Sequence, residues 1–279
     1  MSYLKRKKVI SWAFYDWANS AFATTVMAGF FPLFFKSYWA TDLSSVESTA
    51  VIGTVNSIAG LIIMVLAPIL GAYSDLGKLK KKFLGFFVLI GVLSTGYLYF
   101  IPQGDWFLAA GLYTLAAIGF SGGNIFYDSL IVSVSRKDQR NKVSSLGYSM
   151  GYLGGGLLFL INVLMYLNPG WFGLSSEVDA ILWSFLSVAI WWTIFSIPLF
   201  KNVEEKGNED NSIDISRTIL KAFNSVLQTI KEIKKHKRVA LFLLAYWFYM
   251  DGIDTIVRMA TAYGSDIGLD TSSMITALL

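Results

Sequence analysis

Seven long apolar stretches run through this chain of 279 residues, at 11–35, 50–73, 83–101, 106–133, 144–167, 180–200 and 239–263. A helix needs roughly 20 apolar residues to cross the hydrocarbon core of a bilayer, and each stretch meets or approaches that length. An eighth begins near Ser273 and has run only a turn or two at Thr276-Ala277-Leu278-Leu279. The predicted fold class is therefore all-α and polytopic, with the lipid bilayer as its surroundings. Charged residues make up 15% of the chain, against roughly 25% in soluble domains, too few to cover a water-facing surface. Nine Trp, within an aromatic content of 16%, suit a protein anchored at two membrane interfaces.

The basic residues set the orientation. Lys5, Arg6, Lys7 and Lys8 precede the first span; Lys78, Lys80, Lys81 and Lys82 separate the second and third. Arg136, Lys137, Arg140 and Lys142 separate the fourth and fifth, and nine more lie between Lys201 and Arg238. These groups hold 21 of the 23 Lys and Arg; the alternate loops hold none beyond Lys36 at a span end, and Arg258 lies within a span. Such alternation is the positive-inside rule and predicts a multi-pass cell-membrane protein with a cytoplasmic N-terminus. It also assigns the net charge of +4 to membrane topology, so no nucleic-acid partner is expected.

A cleaved leader would also place basic residues before an apolar run, and Ala21-Phe22-Ala23 resembles a cleavage site. Against it, Asp16 interrupts the would-be apolar core and the run continues to Phe35. The one long polar segment is 201–238. Glu204 to Asp214 is acidic and reads as loop; Ile215, Ile219, Phe223, Val226, Ile230 and Ile233 then follow at steps of three and four. That is one apolar helical stripe, with Lys221, Lys231 and Lys234 available for the other face. A helix of this kind lies flat on the cytoplasmic leaflet, or is a plain linker helix; the pattern leaves both open. The predicted organisation is a six-span bundle at 1–200, a cytoplasmic linker at 201–238 and the start of a second bundle at 239–279.

Ionisable groups inside spans each need a reason, because one at mid-membrane costs about 2.5–3.5 kcal/mol on insertion scales. Asp16 lies in the first span, Asp128 in the fourth, and Asp251, Asp254 and Arg258 in the seventh. The last three are spaced three and four apart and share one helix face. They read as a proton- or substrate-binding site; alternatively Asp254 and Arg258 merely neutralise each other, which leaves Asp251 unpartnered. Counting from span ends, Asp16 and Asp128 fall toward the cytoplasmic side. Asp16 is either a cavity residue or an interfacial one satisfied with Asn19, and Asp128 is either a cavity residue or a cap set against Arg136 or neighbouring backbone.

Gly147, Gly151 and Gly155 lie four apart in the fifth span, and Gly119 and Gly123 repeat the spacing in the fourth. Small residues so spaced let helix backbones approach closely, so these are predicted packing positions. No Gly-rich run leads into Lys-Ser or Lys-Thr, so no ATP-binding loop is recognisable. The absence of Cys and the single His exclude a disulfide scaffold, a thiol nucleophile and any Cys/His metal cage. That one histidine, His236, sits among lysines in the linker and reads as a solvated loop residue. Neither an enzyme nor a cofactor nor a metal is expected.

Three segments resemble known ones. Gly71-Ala72-Tyr73-Ser74-Asp75-Leu76-Gly77-Lys78, followed by Lys80 to Lys82, resembles the loop between spans two and three of the major facilitator superfamily. It has one residue fewer between Asp75 and Gly77 than the usual form and no basic residue directly after Asp75. Ser11-Trp12-Ala13-Phe14-Tyr15-Asp16-Trp17-Ala18-Asn19-Ser20-Ala21-Phe22 and Ser145-Leu146-Gly147-Tyr148-Ser149-Met150-Gly151-Tyr152-Leu153-Gly154-Gly155-Gly156 resemble stretches of one branch of it. That branch holds the autophagy-related vacuolar amino-acid effluxers of fungi and their bacterial relatives. The resemblance implies a twelve-span fold of two six-helix bundles, alternating access, and a central cavity lined by the first, fourth, seventh and tenth spans. Every intramembrane carboxylate noted above lies on the first, fourth or seventh span, which favours Asp16 and Asp128 as cavity residues. Gly71, Asp75, Gly77 and Lys78 would belong to a cytoplasmic gate, or simply to the topology charge.

The expectation is a gradient-driven transporter of a small solute, an amino acid or similar metabolite, coupled to protons if the intramembrane carboxylates titrate. The functional protein would then be longer than this chain and monomeric at full length. The other reading is a non-transporting membrane receptor or scaffold that binds a partner through the 201–238 segment.

Overall fold

The computed structural model describes residues 3–76, 79–205, 224, 228, 231–233 and 235–279; the side chains of 3–5, 72, 73, 75 and 76 are set aside. Seven helices are long and apolar enough to cross a membrane, and no strand occurs among the described residues. The first, α1, is one continuous rod built of α-helical Tyr3–Ala21, a wide stretch Phe22–Phe30, a short α turn Phe31–Phe34 and a second wide stretch Phe35–Trp39. After it come α2 (Ser45–Leu76), α3 (Lys80–Tyr97), α4 (Trp106–Ser129), α5 (Arg140–Leu167), α6 (Glu177–Asn202), α7 (Lys237–Asp266) and the short α8 (Thr271–Ala277). All seven spans fall on the predicted stretches, with α6 and α7 each reaching two residues further into the linker. The amphipathic stripe of the linker lies almost wholly outside the described residues.

Wide helical turns cluster at functional and strained sites. In α1 the first wide stretch contains two threonines and is followed by a proline in the short turn after it. Pro32 has no N–H to give to the carbonyl of Ala28 four residues earlier, and Thr24 and Thr25 lie within the widened stretch. The Ala28 carbonyl accepts a hydrogen bond from another helix, described below.

In lipid, helices gain little from burying apolar surface, and close packing takes its place. α1 packs along α5 and α6, α3 along α4 and α6, and α2 along α4. Glycine makes the closest approaches. A Cβ added to Gly119 would stand 2.5 Å from the backbone nitrogen of Gly91, so α3 and α4 touch there backbone to backbone. On α5, a Cβ at Gly154 would stand 2.5 Å from the Trp17 carbonyl, and at Gly155 2.9 Å from that of Ser20. Added Cβ atoms at Gly147 and Gly151 would crowd Trp12 and the Tyr127 hydroxyl, and Ser20 and Asp16, respectively. Gly156, one residue on, faces open space.

One end of the bundle gathers the basic residues. There the Lys8 ammonium bonds the Glu204 carboxylate at 2.7 Å, and Lys81 Nζ donates to the Phe200 carbonyl at 2.7 Å. Glu205 accepts the backbone N–H groups of Lys80 and Lys81, so a residue three positions beyond α6 caps the first turn of α3. Of the residues in the signature-like loop, Gly71 lies on α2 with open space around it, and Asp75 lies on the last turn of α2. The Asp75 side chain, Gly77 and Lys78 fall outside the described residues.

At the opposite end Gly104 donates its N–H to the Tyr38 carbonyl at 3.1 Å, tying the α3–α4 loop to the end of α1. α7 meets α1 and α2 through its second half only. Residues 241–257 are all exposed, whereas Thr261, Ala262 and Gly264 are buried. A turn at Gly268, whose φ of 83° suits glycine, leads into α8, where Asp270 accepts the Ser273 N–H at 2.9 Å.

Candidate functional site

Five of the six residues singled out in the spans, Asp16, Asp128, Asp251, Asp254 and Arg258, line two pockets, and Asn19 lines neither. The first lies toward the basic end, between α1, α4 and α5. Trp12, Asp16, Asn124, Tyr127, Asp128, Ser144 and Tyr148 line a cavity of about 100 Å³. Two carboxylates face it, and no Lys or Arg does among the described residues. Asp16 is half-buried and accepts from the Ser20 hydroxyl at 3.4 Å; the alternative of Asn19 as its partner is not what forms. Asn19 is buried instead against α4, where its amide donates to the Asn124 side-chain oxygen. Asp128, on the last turn of α4, makes no ion pair with Arg136 among the described residues.

An aromatic wall fixes the pocket. The rings of Trp12 and Tyr127 stack with centroids 4.4 Å apart, and Trp12 Nε1 donates to the Tyr127 carbonyl at 3.0 Å. Tyr127 is buried, 3% exposed, and lines the pocket beside Asp16. Together the lining presents oxygen atoms and negative charge, the chemistry of a cation or proton site.

The second pocket, about 520 Å³, opens between α2 and α7. Asp251, Asp254, Thr255 and Arg258 line it from α7, and Gly53, Asn56, Ser57 and Gly60 from α2. Arg258 bonds Asp254 at 3.2 Å and also donates to the Asn56 side-chain oxygen at 3.0 Å. That same oxygen accepts the Tyr113 hydroxyl of α4 at 3.0 Å, so one amide joins α2, α4 and α7. Asp251 stays exposed and has no bonding partner among the described residues. The Asp254–Arg258 pairing is thus present, but the pair also reaches beyond itself to the bundle.

Sequence reasoning found the charged members of both pockets and missed the amides and hydroxyls. Asn56 and Asn124 interrupt apolar spans as the carboxylates do, and a search extended from charges to amides would have marked them. Tyr113, Tyr127 and Tyr148 carry no such signal, since tyrosine is common in spans.

Relatives place the chain. The family profile described as "Vacuole effluxer Atg22 like" matches residues 42–279. An MFS-type transporter of Bacillus subtilis, YxiO, is 41% identical over 274 residues, 98% of this chain and 63% of its own length. Autophagy-related protein 22 of Yarrowia lipolytica is 23% identical over 171 residues, covering 54% of this chain and 28% of its own length. The structure resembles that of a D-xylose-proton symporter, with a TM-score of 0.61 at 16% identity over 97% of this chain and 64% of the symporter. The chain thus spans less than two thirds of the length of these relatives. It has the major facilitator fold of a polytopic membrane transporter and belongs to the vacuole effluxer Atg22-like family.

Proposed function

We propose that this protein works as a secondary transporter in the plasma membrane, with its N-terminus in the cytoplasm, moving a small solute by alternating access coupled to protons. The observation that carries the reading is the pocket in which Asp16 and Asp128 meet oxygen-bearing side chains with no basic group among its described lining. A site of this charge takes a proton or other small cation, and at about 100 Å³ it is small beside the roughly 300–1,000 Å³ of ordinary solute pockets. The second pocket has the room, and it offers both charge signs: the unpaired Asp251 and the partly engaged Arg258. A zwitterionic metabolite such as an amino acid meets both. The symporter whose fold it shares carries protons with D-xylose, and the family it belongs to is described as vacuole effluxer-like.

The test is flux in proteoliposomes, using the protein as its own cells make it, pooled labelled amino acids and an imposed pH gradient. Flux that collapses with the gradient, and that Asp16→Asn and Asp128→Asn each reduce at least tenfold, is the expected result. Gradient-driven flux that survives both substitutions removes this pocket from the coupling. If nothing in the amino-acid pool moves but another metabolite pool does, the solute assignment fails and the transporter reading stands.

A further inference from the structure

At the end opposite the basic residues, a third polar cluster joins the first, second and seventh helices. Lys36, near the end of α1, reaches Asp266, the last residue of α7. Its side chain is only 7% exposed, against 26% for Asp266. The same ammonium donates to the Thr49 hydroxyl at 2.9 Å and to the Ala262 carbonyl at 3.4 Å. Asp266 in turn accepts from the hydroxyls of Ser45 and Thr49 at the start of α2. One carboxylate thus takes bonds from three side chains on two other helices.

This cluster is where α7 is held. Together with Thr261, which donates to the Ala28 carbonyl at 3.1 Å, and Arg258, it accounts for the side-chain bonds between α7 and the bundle among the described residues. All three lie in the second half of the helix, and the first half runs free of the bundle. A covered ion pair with its lone pairs taken by hydroxyls is costly to break one partner at a time, because the remaining charge loses its compensation. It therefore has the character of a two-position clasp: closed and satisfied, or open with both charges in water.

We infer that Lys36 and Asp266, with Ser45 and Thr49, form the clasp that closes the extracytoplasmic end of the protein between α1, α2 and α7, and that its release opens the cavity to the outside. The inference rests on the alternating-access reading above.

The 279 residues contain no Cys, which makes the test direct. In the protein as its cells make it, with any thiol beyond these residues removed, a single Thr255→Cys is placed in the α2–α7 pocket. Its labelling by a membrane-impermeant maleimide added outside intact cells is then followed. Lys36→Ala, Asp266→Asn and the pair Ser45→Ala with Thr49→Val should each raise the labelling rate severalfold. Lys36→Ala combined with Asp266→Ala should do no more than either alone, and the exchange Lys36→Asp with Asp266→Lys should return the rate toward that of the parent. Unchanged labelling in well-folded Lys36→Ala and Asp266→Asn variants overturns the clasp; if Lys36→Ala does not fold, the isosteric Asp266→Asn carries the test. A separate pair, Ala28→Cys with Thr261→Cys, crosslinks α1 to α7 where they already touch. Oxidation should abolish outside labelling of Thr255→Cys and reduction should restore it. If oxidation has no effect, the alternating-access reading itself fails; if it works while the clasp variants do nothing, only the clasp fails.

Discussion

Thr261 of α7 donates its hydroxyl to the carbonyl of Ala28 on α1 at 3.1 Å, the carbonyl that Pro32 lies four residues beyond and has no N–H to reach. That bond docks α7 on α1 at its first wide stretch. Thr261→Val keeps the shape and removes the donor. Interhelical bonds of this kind average about 0.6 kcal/mol in membrane proteins, so the expected loss is about 0.5–1.5 kcal/mol. Thermal unfolding in detergent measures it, and Thr261→Ser should recover most of the difference. A Thr261→Val protein as stable as the parent would show that the bond adds nothing to docking.

Asn56 joins three helices through one oxygen, which accepts from Tyr113 and Arg258. Tyr113 is fully buried, so removing its acceptor strands a hydroxyl in an apolar interior. Asn56→Leu should cost about 1–3 kcal/mol in unfolding free energy. Asn56→Asp keeps an acceptor for both donors and should cost much less. Equal losses in the two variants would point to volume rather than hydrogen bonding as the role of Asn56.

The glycines separate by what stands opposite them. Gly119 faces the backbone of Gly91 and Phe87, and backbone cannot swing aside as a flexible side chain does. Gly119→Ala should therefore destabilise by about 1–3 kcal/mol or force α3 and α4 apart. Gly156→Ala meets nothing within 4 Å and gains helix propensity of up to about 1 kcal/mol. Parallel unfolding curves decide this, and similar midpoints for both variants would refute the contact at Gly119.

At the basic end, the hydrogen bond from Lys8, and then its charge, holds the Glu204 carboxyl below its ordinary range. A carboxyl lowered in the folded state stabilises it above the ordinary glutamate value, and that contribution is lost as pH falls through the lowered value. The parent should thus lose thermal stability in this acidic window faster than Glu204→Gln, with the two curves meeting at the lowest pH. Glu204 is 81% exposed at the side chain, so the gap is small and high salt should shrink it further. A gap that persists unchanged in high salt would mean that the pair is not its source.

The sequence by itself determined the seven stretches long and apolar enough to cross a membrane, because hydrocarbon length and the cost of charge act on each segment locally. The same local cost marked Asp16, Asp128, Asp251, Asp254 and Arg258, since a carboxylate in an apolar run is conspicuous wherever the run folds. Which of these groups share a pocket was decided only by tertiary structure. Asp16 and Asp128 lie 112 positions apart and meet because glycines on α5 let α1 and α5 approach, bringing both helices against α4. Asn124, Tyr127 and Asn56 were hidden because amides and phenols cost too little in a span to stand out singly. Their roles come from what they face: Asn19 for Asn124, the Asp16 pocket for Tyr127, Arg258 and Tyr113 for Asn56. Lys36 read as a span-end charge in the sequence and Asp266 carried no signal at all, and only the docking of α7 turned them into a pair. Local energetics can be read along a chain; pairing between helices depends on packing, which has no address in the sequence until the helices are in place.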